Sequence, residues 1–256
     1  MTSNPTDPPV STNRITAAIL VIGDEILSGR TKDQNIGTIA EHLTSLGIDL
    51  KEVRIVPDEE PGIVAALDAL RSRWTYVFTT GGIGPTHDDI TADAVAKAFG
   101  VAIDIDPRAR KLMAEYYASR GIELTPARLR MARIPATSTI VMNEISAAPG
   151  FMIGNVIVMA GVPSIMKVML SDVTQHLRRG APIQSRIIEL DHPESEIAEL
   201  FRQHALAHPD VTMGSYPQRK DGRFSTQLVL RSPDALHLEE AHRTLCAKLA
   251  AKGLIP

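Results

Sequence analysis

The chain has 256 residues, 44% of them hydrophobic and 22% charged, so it can bury the core of one large domain or of one domain with a small companion. Its 27 basic and 30 acidic side chains give a formal net charge of −3, which argues against a nucleic-acid binder held by bulk electrostatics. The single cysteine, Cys246, excludes an internal disulfide framework and a cysteine-based metal cluster, and it fits a reducing, cytoplasmic setting. No apolar run approaches the roughly 18 residues of a membrane span.

Residues 1–14 are polar and rich in proline, which predicts a flexible tail. From residue 15 onward, short apolar runs alternate with apolar residues at helical spacing. The pattern predicts strands at 15–23, 52–56 and 74–80, and helices at 36–46, 63–70 and 92–99. This alternation indicates right-handed βαβ units and a parallel sheet covered by helices on both faces.

The later segments of the chain continue the mixture of helices and strands. We predict a helix over 106–131 with interruptions at 121 and 125–126, strands at 151–153 and 156–159, and a helix over 163–177. The segment RGAP at 179–182 is typical of a linker, and it divides the chain into domains at 15–180 and 181–256. The pattern of the second domain predicts a small βαββα module, in which the GSYP segment at 214–217 forms a turn after a strand.

Acidic residues follow each of the first three predicted strands. The first strand runs into Asp24 and Glu25, the second runs through Pro57 into Asp58, and the third runs into GGIGPTHDD at 81–89. Ligands of open parallel sheets bind in the crevice beyond the carboxyl ends of the strands. We therefore expect these acids to converge on one rim of the sheet.

The glycines of the third segment indicate a ligand site at the same rim. Gly81, Gly82 and Gly84 let the backbone approach a ligand closely, and a helix that follows them would point free N–H groups at an anion. The segment matches neither the P-loop nor the dinucleotide-binding fingerprint. An anion beside carboxylates needs a cation between them, so we expect a phosphorylated ligand bridged by Mg²⁺, Mn²⁺ or a similar ion.

Each acid also has a simpler explanation. Asp88 or Asp89 would serve equally well as the cap of the helix at 92–99. His87 fits an exposed loop better than a ligand contact. The functional interpretation depends on the whole rim, because a double-glycine turn is rarely needed only to cap a helix.

Four motifs resemble the MoaB/Mog type of molybdenum-cofactor-biosynthesis domain: VIGDEILSGRTKDQN at 21–35, TTGGIGPTHDDIT at 79–91, NEISAAPGF at 143–151 and AGVPSIM at 160–166. They look like the version found in CinA (competence/damage-inducible protein A), and almost as much like the molybdopterin-binding-like half of FAD synthases. The chain from Pro182 onward is similar to the small module that follows this domain in CinA proteins. The resemblance implies a three-layer αβα fold with a mainly parallel sheet, a small α+β module and assembly as a dimer or trimer.

The resemblance also implies roles for individual residues. Asp58 and Asp89 match the two functional aspartates of the family, and we expect them to be catalytic. Gly81, Gly82 and Gly84 match its phosphate-binding turn. We expect the following residues to bind the phosphates or the nucleotide: Asn35, Thr80, Gly81, Gly82, Gly84, Pro85, Thr86 and Gly161. We expect the following acids to bind the divalent metal ion, which is Mg²⁺, Mn²⁺ or Co²⁺: Asp24, Glu25, Asp58, Asp88 and Asp89.

Two functions follow from the resemblance. One is a metal-dependent pyrophosphatase that cleaves ADP-ribose, or FAD to FMN and AMP. The other is a protein that binds molybdopterin or a related pterin without turnover. Ile83 replaces the second threonine of the usual TGGTG motif, which lowers the case for adenylyl transfer or molybdate insertion. The acidic rim and the aromatic content of 4% favour the enzyme, because few rings are available to stack a pterin. We expect no nucleic-acid or membrane partner.

Overall fold

The structure is a computed structural model that describes residues 14–220 and 223–255. The tail predicted at residues 1–14 lies, apart from Arg14, outside the described residues. Contacts divide the chain into two compact units, the first ending at Gly180 and the second beginning at Ala181. None of the helices in the described part combines the length and the hydrophobicity that crossing a membrane requires.

Within residues 14–180 the first unit contains eight strands, and six of them form its central sheet. The strands are β1 (Ile15–Ile22), β2 (Ile48–Val56), β3 (Tyr76–Thr80), β4 (Ile103–Ile105), β5 (Arg133–Pro135), β6 (Thr139–Val141), β7 (Gly150–Ile153) and β8 (Val156–Met159). The central sheet has the order β2-β1-β3-β8-β7-β6, while β4 and β5 form a separate antiparallel pair. β2, β1, β3 and β8 are parallel, and β7 runs antiparallel to both of its neighbours. The prediction of a mainly parallel sheet is confirmed.

Helices connect these strands. They are α1 (Asp24–Leu27), α2 (Asn35–Ser45), α3 (Glu60–Arg71), α4 (Thr91–Phe99), α5 (Pro107–Ala118), α6 (Pro126–Leu129) and α7 (Pro163–Val173). The helix predicted over 106–131 is interrupted as expected. Asp106 caps α5 by accepting hydrogen bonds from the N–H groups of Arg108 and Ala109, and Thr125 caps α6 in the same way.

The two faces of the sheet support two separate cores. Alternate side chains of β1 point to opposite faces, since successive residues of a strand do so. Ala18, Leu20 and Ile22 pack with apolar residues of α3, α4 and α5. Ala17, Ile19 and Val21 pack with apolar residues of α2 and α7. A strand buried on both sides explains the continuous apolar run, and it confirms the three-layer αβα fold.

In residues 181–220 and 223–255, the second unit forms a three-stranded antiparallel sheet with two helices. Its elements are β9 (Gln184–Leu190), α8 (Glu194–Ala207), β10 (Thr212–Lys220), β11 (Arg223–Ser232) and α9 (Ala235–Ala251). The sheet has the order β10-β11-β9. Apolar residues of α8, α9 and the sheet form its core, which includes Ile197, Leu228, Leu238 and Leu245. The predicted α+β character is confirmed.

The turn predicted at 214–217 is wrong, because these residues lie inside β10. Gly214 pairs with Val229, and Pro217 pairs with Thr226. β10 is an edge strand of the three-stranded sheet, so only one of its sides pairs with another strand. A proline, which has no N–H to donate, is tolerated in such a strand. Glycine and proline therefore gave a false turn signal.

A buried histidine joins the two helices of the second unit. His204 on α8 is fully buried, with Nε2 2.9 Å from the carbonyl oxygen of Ala241 and Nδ1 3.1 Å from Nζ of Lys248 on α9. The ring of His208 lies 4.5 Å from the ring of His204. Burial lowers the pKa of His204 below its usual 6.5, and the charges of Lys248 and His208 lower it further, against the effect of the Ala241 carbonyl. The folded unit therefore keeps His204 neutral.

We expect acidification to destabilise the protein through His204. Because its folded pKa is lowered, the neutral histidine stabilises the fold fully above about pH 6.5, and this stability is lost as the pH falls towards the folded pKa. The melting temperature should fall less for His204→Gln than for the wild type between pH 7.5 and 5.5. His176→Gln, at an exposed histidine, is the control and should behave like the wild type. Equal losses in all three proteins would contradict the prediction.

Candidate functional site

The turn after β3 can be built only from glycine. Gly81 and Gly82 have φ angles of 103° and 65°, which are in the left-handed region. A Cβ on Gly81 would lie 2.0 Å from the carbonyl oxygen of Ile22 at the end of β1. A Cβ on Gly82 would lie 2.2 Å from Oγ1 of Thr91. The double glycine of the motif therefore lets the ends of two strands and the start of a helix meet.

Thr91 fastens this turn to α4. Its Oγ1 donates a hydrogen bond to the carbonyl oxygen of Gly81, and its N–H donates to the carbonyl oxygen of Gly82, both at 3.0 Å. The side chain is fully buried, so this contact is shielded from water. Thr91 is a site residue that was not predicted, although it stands at the end of the TTGGIGPTHDDIT motif.

Asp89 organises the loop that follows the turn. Its Oδ1 accepts a hydrogen bond from the N–H of Gly84 at 2.6 Å, and its Oδ2 accepts from the N–H and the hydroxyl of Thr86 at 2.8 and 2.5 Å. Two expectations are corrected by these contacts. The N–H groups of Gly84 and Thr86 bind a carboxylate of the protein itself, and Asp89 does not cap α4, whose N-cap is Ile90.

Asp58 lies where the three strand ends meet. Its Oδ2 accepts a hydrogen bond from the N–H of Asp24 at 3.0 Å, and its Oδ1 lies 3.5 Å from where a Cβ on Gly82 would stand. Burial raises the pKa of Asp58, and the carboxylates of Asp24, Glu25 and Asp88 raise it further, against the effect of the Asp24 N–H. The structure thus brings acids from all three strand ends into one electrostatic neighbourhood.

A cleft of about 510 Å³ opens beside the glycine turn, at the carboxyl edge of the sheet. It is lined by these residues named from the sequence: Glu25, Gly81, Gly82, Gly84, Pro85, Asp89 and Gly161. Its apolar wall was not predicted, and it consists mainly of Ile83, Met131, Val162, Ile165 and Met169. Three segments that are distant in sequence form this wall, so no local sequence pattern predicts it.

The start of α7 also lines the cleft. Val162 is the N-cap of α7 and Pro163 its first residue, and no side chain caps this end. Free N–H groups and the helix dipole favour a negative charge at such a position. The helix that begins at the cleft is therefore α7. The helix expected to face the anion was the one after the glycine turn, which is α4.

Other residues named from the sequence lie around the cleft and do not line it. Thr80 and Asn35 are buried beneath the turn, and Nδ2 of Asn35 donates to the carbonyl oxygen of Gly161 at 2.7 Å. Oγ1 of Thr80 and Oδ1 of Asn35 have no hydrogen-bond partner within residues 14–220 and 223–255. The side chain of His87 is fully exposed, as the simpler explanation predicted.

The five acids named for a metal ion do not form one cage. Within the part of the chain that the structure describes, no three histidine, cysteine or acidic residues are arranged to hold a metal ion. Both oxygens of Asp89 are already occupied by the loop. Mg²⁺ often uses only one or two carboxylates together with water and substrate phosphates. Asp58 and its acidic neighbours offer carboxylates of the kind that such an ion uses.

Comparison with known families agrees with this geometry. Residues 18–179 match the family described as a probable molybdopterin binding domain. The chain belongs to this family. Residues 182–256 match the middle domain of FAD synthase, so the two matched regions correspond to the two units of the structure.

Individual relatives identify the type of protein within the family. A protein of Pyrobaculum aerophilum is 35% identical over 211 residues, which are 79% of each chain. A CinA-like protein of Desulfosudis oleivorans is 38% identical over 77% of this chain, which spans about half (51%) of that relative. The crystal structure of CinA from Thermoplasma acidophilum, a protein of unknown function, has a TM-score of 0.59 and 32% identity over 64% of this chain and 99% of that one. The CinA-type resemblance of the four motifs is confirmed.

We expect Gly82→Ala to be more damaging than an equivalent change elsewhere. Gly100, with φ of 63°, has the same left-handed backbone but open space around it, so Gly100→Ala should cost only the strain of about 1–2 kcal/mol. Gly82→Ala should lower the free energy of unfolding by more, because its Cβ collides with Thr91. Urea denaturation of both variants measures this difference. Equal losses would show that Thr91 gives way without cost.

Proposed function

We propose that this protein hydrolyses the phosphoanhydride bond of a nucleotide such as ADP-ribose or FAD in the cleft beside the glycine turn, with the help of a divalent metal ion. The observation that carries the proposal is the position of Asp58, held by the N–H of Asp24 against the glycine turn and surrounded by acids. The enzyme that we propose acts in the cytoplasm as a dimer or trimer.

The elements around the cleft would share the binding of the phosphates. The glycine turn lets the backbone approach them, and the uncapped start of α7 favours their negative charge. Asp89 keeps Gly84 and Thr86 in place, and this makes it a positioning residue for the loop. A cleft of about 510 Å³ is within the range of sites for ligands of this size.

Asp58 is the group that we expect to handle the proton. A bound divalent ion would neutralise the phosphates and lower the pKa of a bound water. Asp58 lies against the glycine turn, held by the N–H of Asp24, and from there it would accept a proton from the attacking water. The water oxygen bonds to one phosphorus, and the bond from this phosphorus to the bridging oxygen breaks. The bridging oxygen leaves with the second phosphate, so ADP-ribose gives AMP and ribose 5-phosphate, and FAD gives AMP and FMN.

One comparison supports a nucleotide substrate, and one structural observation supports a functional site beside the glycine turn. The match of residues 182–256 to a domain of FAD synthase connects the chain with a family that is named for a nucleotide-forming enzyme. Oγ1 of Thr80 and Oδ1 of Asn35 are buried without partners among the described residues, and they are the kind of unsatisfied polar group that functional sites retain.

The apolar wall of the cleft favours a second candidate function. Met131, Ile165 and Met169 offer a surface for a flat ring, and Asn143 and Ser146 add polar groups beside it. A pterin such as molybdopterin would fit these groups without turnover, in agreement with the description of the family as a probable molybdopterin binding domain. The acids around Asp58 have no evident task in such a protein, so we rank this function second.

Hydrolysis assays distinguish the two functions. Purified protein should release AMP from ADP-ribose or FAD in the presence of Mg²⁺, Mn²⁺ or Co²⁺. Asp58→Asn should lower kcat by about 100-fold or more, since the amide is a poor base. Glu59→Gln, which changes an exposed neighbouring acid, should leave kcat unchanged. If the wild type binds a pterin tightly but releases no AMP with any of the metals, the second function replaces the first.

A further inference from the structure

None of the described residues that line the cleft is a lysine or an arginine, so a bound phosphate meets no cationic side chain in the wall of the cleft. Arg130 and Arg133 line a small cavity behind the glycine turn, together with Gly82, Gly84 and Asp89. Arg133 is already neutralised, because its two terminal nitrogens donate to the two carboxylate oxygens of Asp93 at 2.8 and 2.6 Å. Such a bidentate pair holds the side chain in one position. Arg133 is therefore committed to α4.

Arg130 is not committed in this way. Its side chain is exposed, and among the described residues no carboxylate lies within ion-pair distance of its guanidinium. Its backbone is well anchored in a 3-10 turn (Arg130–Ala132), since Ala132 is fully buried and accepts a hydrogen bond from the N–H of Asp106 at 2.8 Å. A rigid backbone thus presents an unpaired cation beside the glycine turn.

Met131 connects this cation with the main cleft. The residue lines the small cavity with Arg130, and it also lines the large cleft with Gly82, Gly84 and Asp89. The two cavities therefore share the glycine turn and Met131 as parts of their walls. A guanidinium fits the oxygens of a phosphate with two parallel hydrogen bonds, which an ammonium group cannot reproduce.

We propose that Arg130 binds a phosphate group of the ligand at the glycine turn. The inference rests on the proposed function only in requiring a phosphorylated ligand there. Arg130 increases the affinity for the ligand, and it takes no part in proton transfer. Its side chain supplies the positive charge that the rim of Asp24, Glu25, Asp58 and Asp88 lacks.

Calorimetric titration with ADP-ribose tests this proposal, and adenosine serves as the phosphate-free probe. Arg130→Gln should raise the Kd for ADP-ribose about tenfold or more, since a hydrogen bond to a charged group is lost. The Kd of Arg130→Lys should lie between those of Arg130→Gln and the wild type, because lysine keeps the charge but not the paired hydrogen bonds. Arg110→Gln, which removes an exposed arginine of α5 outside both cavities, should bind like the wild type.

The results separate this proposal from the proposed function. If the wild type and Arg130→Gln bind ADP-ribose equally well, Arg130 is no ligand residue, while the phosphate site itself stands. If Arg110→Gln weakens binding as much as Arg130→Gln, the effect is one of overall charge, and the proposal is wrong. If the wild type binds neither ADP-ribose nor FAD at any concentration tested, both proposals fall. If Arg130→Gln weakens the binding of adenosine equally, the contact is not with phosphate.

Discussion

The carboxyl ends of β1, β3 and β8 come together because Gly81 has no side chain. A Cβ on this residue would lie 2.0 Å from the carbonyl oxygen of Ile22, and its N–H donates to the carbonyl oxygen of Met159 at 3.2 Å. Gly161 approaches from the other side, so that a Cβ there would lie 3.3 Å from Cα of Gly81. This contact between three backbones sets the position of the turn, of Asp58 and of the start of α7.

The two aspartates Asp58 and Asp89 have different surroundings in this site. Both carboxylate oxygens of Asp89 accept hydrogen bonds within the loop, from the N–H groups of Gly84 and Thr86 and from the threonine hydroxyl. Asp58 accepts one hydrogen bond from Asp24 and faces further acids, and its pKa is raised by burial and by their charges. A cation or a proton is what such a carboxylate lacks. The geometry therefore separates a residue that shapes the loop from one that is suited to chemistry.

The elements that were predicted well are those whose apolar residues follow a strand or helix pattern over a short stretch of the chain. β1 is a continuous apolar run because both of its faces are buried, and α3 places Ile63, Leu67 and Leu70 on one side. β4, β5 and β6 have three residues each, too few to show a period, and they form through partners distant in sequence. Gly214 and Pro217 misled in the opposite direction, since an edge strand tolerates both.

The sequence by itself determined the alternation of strands and helices, the glycine turn, the acids that follow three strands, and the family to which the motifs belong. These features are local, because each depends on residues that are adjacent in the chain or one helical turn apart. Only the tertiary structure decided which donors Asp89 occupies, which helix end faces the cleft, and that Arg130 and Met131 lie behind the turn. The donors of Asp89 are only three and five residues away, but their geometry depends on the fold of the loop. The start of α7 and the segment of Arg130 and Met131 come from distant parts of the chain, and their positions depend on how both cores pack against the sheet.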